Sequence, residues 1–251
     1  MKVFFGTLVL IFSLVLVSGC TGGGSKKGSD IESDTLAGAD SIVQYMSGQV
    51  LVKEVTFKNG VRNGLMKSFY QDGRLRMTFW YENDVREDSS KWYYQEGQLF
   101  RSTPYRNDTI DGTQIQYYRN GRIKAKLSYV KGLRTTYLEE FAPDGKLIGG
   151  YPELVADIRD DYQSRGIYMI SLTLSDKSTK VRYFRGDFSN GLFDTAHCKP
   201  IENIKGVGTL NLRKTVSPKA DYVGIIAEIL TDFGNNYLVY KKIDLPYKDL
   251  D

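Results

Sequence analysis

A period of 24 residues runs through the middle of the chain and constrains its fold more than any other feature. One glycine column and two aromatic columns keep this step without a slip. The glycine column is Gly73, Gly97, Gly121 and Gly145. The aromatic columns are Phe57, Tyr81, Tyr105 and Tyr129, and then Phe69, Tyr93, Tyr117 and Phe141. A constant period of this length indicates one supersecondary unit that is copied four times.

Each unit contains two turn signals, which lie 11 to 13 residues apart. Asn59 with Gly60 and Asp72 with Gly73 are early examples, and such pairs permit the positive φ of tight hairpins. The residues between turns are rich in Tyr, Phe, Thr and Val, which favour strands. The repeat therefore predicts an antiparallel meander of about eight strands over residues 46–148. We expect equivalent rings of successive units to pack against each other across the strands.

The third unit shows the fullest motif, because residues 118–123 read YRNGRI and residues 129–132 read YVKG. This motif resembles the MORN-variant repeat of bacterial proteins, whose pattern is Tyr-x-x-Gly-x-Leu, a spacer and Tyr-x-x-Gly. The resemblance covers residues 50–148 and implies a β-sheet array. It implies less about function, since many such proteins are labelled antitoxins and others are exported lipoproteins. A further closing glycine is kept in two units and replaced in two others, at Gly64, Gly112, Asp88 and Thr136 respectively.

The first 20 residues have the features of an export signal. Lys2 supplies a positive charge, and residues 3–17 are almost wholly apolar but fewer than the ~20 that a transmembrane helix needs. Residues 17–20 read VSGC and resemble the bacterial lipoprotein box. The resemblance implies a signal peptide at 1–19, lipid such as palmitate on Cys20, and attachment to a membrane of the bacterial cell envelope. An ordinary signal peptide with a coincidental cysteine is the alternative.

The segment after Cys20 is rich in Gly, Ser, Asp and Lys, and we expect residues 20–45 to form a flexible tether. It begins with residues 21–27, TGGGSKK, rather than with the acidic cluster that follows the cysteine in some surface-exported lipoproteins. We therefore expect the protein on the periplasmic face of the outer membrane rather than on the external face.

The repeat register ends after Leu147, and residues 149–251 show a different pattern. Five segments alternate between apolar and polar residues, namely 168–174, 181–186, 208–213, 222–231 and 237–243. They predict a small β-sandwich. The expected fold class is thus all-β, with an antiparallel β-meander repeat array followed by a sandwich. We expect residues 45–55 to cover one edge of the array and the sandwich to cover the other.

The charge distribution argues against a nucleic-acid partner, and we expect none. Residues 50–150 hold 17 Lys and Arg against 12 Asp and Glu, which is not the dense basic surface of a nucleic-acid binder. The most basic stretch contains Arg119, Arg122, Lys124, Lys126, Lys131 and Arg134. It could face anionic lipid or cell-wall polymer, although a solvated sheet face is the simpler interpretation.

Both tryptophans, Trp80 and Trp92, lie in the repeat region. Their flat rings suggest stacking on a glycan, whereas packing within the array is the simpler interpretation. The candidate surface for a partner or ligand is therefore a set of six residues: Trp80, Trp92, Arg119, Arg122, Lys124 and Lys126.

The sequence offers few groups for catalysis. His197 is the only histidine and precedes Cys198, and adjacent residues on a strand point to opposite faces. We expect no metal, no cofactor and no enzymatic activity, with Cys198 a buried or incidental thiol. The adjacent acids at 139–140 and 160–161 are interpreted as solvated turns.

Three functional hypotheses follow. The first is a lipid-anchored, non-enzymatic scaffold that binds an envelope protein. The second is a glycan or cell-wall binding module, and the third is a hydrolase that depends on His197.

Overall fold

A computed structural model describes residues 40–216 and 221–251. The predicted signal peptide, Cys20 and most of the predicted tether lie outside these residues. No helix within the described ranges is long and apolar enough to cross a membrane.

The repeat region forms one antiparallel sheet in which consecutive strands are neighbours, so the predicted meander is confirmed. Its strands are β1 (Ser41–Ser47), β2 (Val50–Lys58), β3 (Val61–Phe69), β4 (Leu75–Glu82), β5 (Val85–Tyr93), β6 (Leu99–Arg106), β7 (Thr109–Ile110), β8 (Gly112–Tyr117), β9 (Ile123–Val130) and β10 (Leu133–Glu140). The short β7 pairs only with β6. β1 begins inside the segment expected to be a tether, because Val43 and Tyr45 pair with Val55 and Lys53 of β2.

The remaining residues form two four-stranded antiparallel sheets, which confirms the all-β class. The elements of this region are β11 (Leu154–Asp161), α1 (Tyr162–Arg165), β12 (Ile167–Leu174), β13 (Val181–Arg185), β14 (Leu192–Phe193), β15 (Lys199–Ile201), β16 (Asn203–Ile204), β17 (Val207–Arg213), β18 (Tyr222–Leu230) and β19 (Asn236–Asp244). Of these, β14 belongs to the array sheet. The strand orders are β11-β12-β17-β16 and β15-β13-β18-β19. Ile170 and Leu172 of one sheet and Ile225 and Ala227 of the other are fully buried in a common apolar cluster, as in a sandwich.

The turns of the array take the left-handed backbone that their residues predict. Asn59 and Gly60 have φ of 51° and 79°, as an Asn-Gly hairpin requires. The next unit has Asn83 and Asp84 at φ of 47° and 67°. Asp84 keeps this conformation without glycine because the backbone N–H and Nε of Arg62 both donate to its Oδ1, at 2.9 and 2.8 Å.

The two faces of the array sheet carry different side chains. The ring face carries the column of Tyr81, Tyr105 and Tyr129, and the lysine face carries a cross-strand row that includes Lys67 and Lys91. On the ring face a row of cross-strand neighbours is buried, and it includes Val55, Met66, Ser90, Thr103, Gln114 and Leu127. Half of this row is polar, so the array has little apolar core of its own.

The rings of one column do not stack on each other, contrary to expectation. Equivalent residues of successive units lie two strands apart, about 9.5 Å, whereas ring contacts need about 4.5–7 Å. Arginines from the strand between them fill this gap. The guanidinium of Arg62 lies 4.3 Å from the Tyr81 ring centroid, and that of Arg86 lies 4.6 Å from the Tyr105 centroid. Arginine and aromatic rings therefore alternate across the ring face.

A second periodic contact ties each unit to the next. The hydroxyls of Tyr70, Tyr94 and Tyr118 donate to the backbone carbonyls 23 residues later, at 2.6, 2.9 and 2.7 Å respectively. The next position in this column is Ala142, where the repeats end and no further unit offers a carbonyl. We call these three contacts the tyrosine ties.

The sandwich region contributes to the far edge of the array, since β14 pairs with β10 through Arg134 opposite Phe193 and Thr135 opposite Leu192. The described residues of both regions belong to one compact unit. The near edge of the array is β1.

Candidate functional site

Glu140 is a fully buried carboxylate at the end of β10, where the array meets the sandwich. The interpretation of residues 139–140 as a solvated turn is therefore wrong. Both residues lie in a strand, and alternation sends Glu139 to the lysine face and Glu140 to the ring face, opposite Ala125. The sandwich covers this end of the ring face, so Glu140 is removed from solvent.

Three neutral donors from the C-terminal region satisfy the Glu140 carboxylate. Its Oε1 accepts hydrogen bonds from Thr231 Oγ1 at 2.8 Å and Asn235 Nδ2 at 2.7 Å. Its Oε2 accepts a hydrogen bond from the Tyr151 hydroxyl at 3.0 Å. Since a buried carboxylate is costly unless its oxygens are paired, these donors are required for its burial.

Two further contacts fix the β18–β19 turn on the array. Gln116 Nε2 donates to Asn235 Oδ1 at 2.7 Å, and Arg134 Nη2 donates to the Asn236 carbonyl at 3.0 Å. β8 and β10 of the array thus both bind one turn of the sandwich. We call this set of contacts, centred on Glu140, the junction network.

Tyr151 joins the junction network to the linker between the two regions. Its ring stacks on Tyr237 with centroids 4.2 Å apart and an angle of 22° between planes. Burial, together with the hydrogen bond to Glu140, raises the pKa of Tyr151 well above its ordinary value. The phenol therefore stays protonated and remains a donor to Glu140 at neutral pH.

A cleft of about 570 Å³ opens beside the junction network. Three loop segments line it, at 148–152, 176–180 and 229–233. Ile148, Pro152 and Phe233 give it apolar surface, and Lys180 pairs with Asp232 at 3.7 Å among its lining residues. The Ser178 hydroxyl is buried here and has no hydrogen-bond partner among the described residues. The cleft thus combines apolar walls with a charged pair, a composition that is found in binding sites.

The structure separates the two tryptophans. Trp92 pairs with Met77 and lies on the ring face, where the Arg101 guanidinium lies 5.1 Å from its ring. Trp80 pairs with Leu65 and lies on the lysine face with 40% of its surface exposed. Met77, the partner of Trp92, and Trp80 are three residues apart on β4, so their side chains point to opposite faces. The six residues of the candidate surface therefore do not form one patch.

The basic residues of the candidate surface bind other parts of the array. Arg119 forms an ion pair with Glu96, and its guanidinium lies 4.8 Å from the Tyr94 ring centroid. Arg122 Nη1 donates to the Pro143 carbonyl at 3.2 Å. These contacts cross from one unit to its neighbour, so both side chains help to hold successive units together.

Two lysines complete the set. Lys126 lies on the lysine face and pairs with Glu139 at 3.0 Å. Their hydrogen bond raises the pKa of Lys126 and lowers that of Glu139. Lys124 is half-buried, and its backbone carbonyl accepts a hydrogen bond from the Phe141 N–H at 2.9 Å.

His197 and Cys198 point into different surroundings. They lie at the end of a short 3₁₀ helix, and His197 Nδ1 is 2.7 Å from Asp194 Oδ2 while its side chain is largely exposed. The Cys198 thiol is buried in an apolar cluster with Phe184 and Phe193, which is one of the two alternatives expected for it, and burial raises its pKa. Among the described residues, the His197 imidazole makes no hydrogen bond to the Cys198 thiol and therefore is not placed to activate it.

The acidic pair at 160–161 ends β11 rather than forming a solvated turn. Asp160 accepts hydrogen bonds from the Tyr162 N–H and the Tyr247 hydroxyl, at 2.9 and 3.0 Å. Asp161 pairs with Arg159 at 3.0 Å. Across residues 40–216 and 221–251, no group of three His, Cys, Asp or Glu side chains is placed to hold a metal ion.

The junction network was missed by sequence reasoning, although the repeat contained a signal for it. At the 24-residue step, Glu140 corresponds to Gln116, Trp92 and Ser68. A carboxylate at a position that otherwise points to the ring face indicates a special environment. Its partners Thr231 and Asn235 lie more than 90 residues away and carry no such pattern.

One family model matches the chain. The MORN repeat variant matches residues 89–107 and 110–131, which extend from β5 to the turn after β9. The match confirms the resemblance for these residues and favours a module that binds a protein or a membrane. No curated protein matches the chain.

Proposed function

We propose that the protein is a lipid-anchored, non-enzymatic scaffold of the bacterial cell envelope, and that it binds a segment of an envelope protein in the junction cleft. The observation that carries this proposal is the cleft itself, with a volume of about 570 Å³ between loops of the linker and the sandwich. This volume lies within the range of about 300–1,000 Å³ for binding pockets. The predicted lipid on Cys20 and the MORN-variant match support the proposal.

A polypeptide suits the chemistry of this cleft. Ile148, Pro152 and Phe233 offer apolar surface for one or two side chains of the bound segment. Lys180 and Asp232, which pair at 3.7 Å, line the same cleft and offer a cation and a carboxylate to the polar groups of that segment. The junction network fixes the loop at 229–233, so little ordering is needed on binding.

The test is photo-crosslinking in intact cells of the native host. A photoreactive phenylalanine analogue replaces Phe233 in the full chain, and a matched protein carries it at Ile204, which is 71% exposed on β16. We expect one dominant envelope protein to be linked from position 233 and not from position 204. Equal adducts from both positions, or adducts with glycan alone, would contradict the proposal.

The anchoring is tested separately. We expect labelled palmitate to be incorporated into the parent protein and not into the Cys20→Ala variant. Equal labelling of the two proteins would show that Cys20 is not the acylated residue.

A second candidate function is glycan binding at Trp80, which is favoured by its exposed ring on the lysine face beside Leu65. The Trp92→Phe variant leaves Trp80 as the sole tryptophan. We expect soluble cell-wall glycans to change its fluorescence if this face binds sugar, and an unchanged spectrum across a broad panel of glycans would remove the candidate.

A further inference from the structure

β1 forms an exposed edge of the array sheet. All seven of its residues are exposed, with Ile42 at 67% and Met46 at 54%, and no described strand pairs with its outer side. Exposed edges with apolar side chains tend to pair with another strand, and natural edges usually carry charge or proline to prevent this. β1 contains neither, whereas edge strand β11 carries Asp157, Arg159 and Asp160.

The sequence of β1 is symmetric about its central residue. It reads Ser-Ile-Val-Gln-Tyr-Met-Ser, so residues at equal distances from Gln44 have the same character. When two such strands run antiparallel with Gln44 opposite Gln44, Ile42 faces Met46 of the second copy and Val43 faces Tyr45. Every apolar residue then meets an apolar residue, and every polar residue meets a polar one.

The faces of the sheet also agree in this register. Val43 and Tyr45 lie on the ring face of β1, because they pair with Val55 and Lys53 of β2. Val55 belongs to the buried apolar cluster at this end of the array. Pairing would place Val43 and Tyr45 of both copies side by side and join the two clusters into one. On the lysine face, the pairing would likewise place Ile42, Gln44 and Met46 of one copy beside the same residues of the other copy.

The absence of charge on β1 favours a second copy of this chain as the strand that pairs with the exposed edge. Since β1 is neutral, no like charges oppose each other at the centre of the pair. Gln44 already donates to Glu54 Oε1 at 2.8 Å, so its side chain is held in place on the lysine face. A two-fold arrangement of this kind is closed and does not extend into a fibre.

We propose that β1 pairs antiparallel with β1 of a second copy of this chain, about a two-fold axis at Gln44, so that the two arrays form one continuous sheet. The proposal is independent of the junction cleft and of the partner proposed for it.

The register is tested by disulfide crosslinking of the full chain. Opposite residues of an antiparallel pair have Cα atoms about 4.5 or 5.5 Å apart, within the range for a disulfide. We expect Gln44→Cys to give a covalent dimer under mild oxidation. Ile42→Cys should not link to itself, because the two copies of residue 42 would lie about 13 Å apart. Mixed with Met46→Cys protein, however, it should give a dimer.

Sedimentation of the purified full chain provides the second test. In Gln44→Glu, two new carboxylates would face each other between the two copies of Glu54, and we expect the dimer dissociation constant to rise at least tenfold. Mixing Gln44→Glu with Gln44→Lys should restore a heterodimer, which also shows that both variants are folded. Ile204→Lys, on an exposed residue of β16, is the control and should leave the dimer unchanged.

Several outcomes would overturn the proposal. A parent protein that is monomeric at all concentrations would do so, as would dimers that Gln44→Glu does not weaken. Gln44→Cys that links only to other proteins would assign the edge to a different partner. Gln44→Cys that forms no intermolecular disulfide would indicate that another part of the same chain covers the edge.

Discussion

The array and the sandwich are both antiparallel β structures, but they are stabilised in different ways. The sandwich buries fifteen hydrophobic residues in one cluster between two sheets, whereas the cluster of the array contains only Val55, Met66 and Tyr81. Apart from the end that the sandwich covers, the array is a single sheet without a second layer. The array compensates with contacts that recur every 24 residues, namely the tyrosine ties and the alternation of arginine and aromatic rings. A repeat can therefore replace a deep core with many equivalent polar contacts.

The largest expected effect tests the core of the sandwich. Leu172→Ala removes a fully buried side chain from the common cluster and should lower the free energy of unfolding by about 2–5 kcal/mol. Val223→Ala in the sandwich and Val55→Ala in the array are the matched changes, since both side chains are 3% exposed and lose the same two methyl groups. Val55→Ala should have the smaller effect of the two, because fewer buried neighbours surround it. Urea denaturation followed by circular dichroism measures all three. A larger loss in Val55→Ala would mean that the array carries the main core.

The second prediction breaks the connection between the two regions. Glu140→Ala leaves the donors of Tyr151, Thr231 and Asn235 without their acceptor and should destabilise the protein by about 3 kcal/mol. Both tryptophans lie in the array, so their fluorescence reports on that region alone. We expect fluorescence and circular dichroism to give one common transition in the parent protein and separate transitions in the variant.

The adjacent glutamate provides the control for this prediction. Glu139 forms a solvent-exposed pair with Lys126 on the lysine face, and such pairs contribute little to stability. Glu139→Ala should therefore keep a single transition. Equal effects of the two substitutions would contradict the role assigned to the junction network.

The difference between the regions also explains what could be predicted from sequence. Periodicity predicted the order of the array strands, and alternation predicted the five strands at 168–174, 181–186, 208–213, 222–231 and 237–243, all of which the structure contains. β11 was missed because its exposed half, including Asp157 and Arg159, has no apolar alternation. The short β14 was missed because two residues carry no pattern.

The site was harder to predict than the fold. The junction near Pro152 was visible as the place where the register ends, but the burial of Glu140 depends on a turn more than 90 residues away. The prediction that equivalent rings pack on each other was wrong, because residues one repeat apart lie two strands apart in the sheet. Arginines from the intervening strands separate the rings.

The third prediction tests whether the array depends on its periodic contacts. Tyr94→Phe removes the hydroxyl that donates to the Tyr117 carbonyl and should reduce the free energy of unfolding by about 1 kcal/mol. Tyr93→Phe is the matched control, since the Tyr93 hydroxyl has no hydrogen-bond partner within the described residues. Tryptophan fluorescence in urea measures the change. Equal stability of the two variants would show that the tyrosine ties do not stabilise the array.

The smallest expected effect is a change in how the stability of the protein depends on pH in acid. Hydrogen bonds from Arg62 and Arg86 lower the pKa values of Asp84 and Asp108 below those of the unfolded chain. Their contribution to stability is therefore complete above the unfolded value of about 4 and is lost as the pH falls through the lower folded values.

Asp84→Asn combined with Asp108→Asn should remove this part of the pH dependence below about pH 4. The variant should then lose less array stability on acidification than the parent does, as measured by tryptophan fluorescence in urea. Glu82→Gln, at the exposed last residue of β4, which forms no ion pair within the described residues, should keep the parent behaviour. Parallel acid curves for the double variant and the parent would show that these ion pairs do not distinguish the two regions.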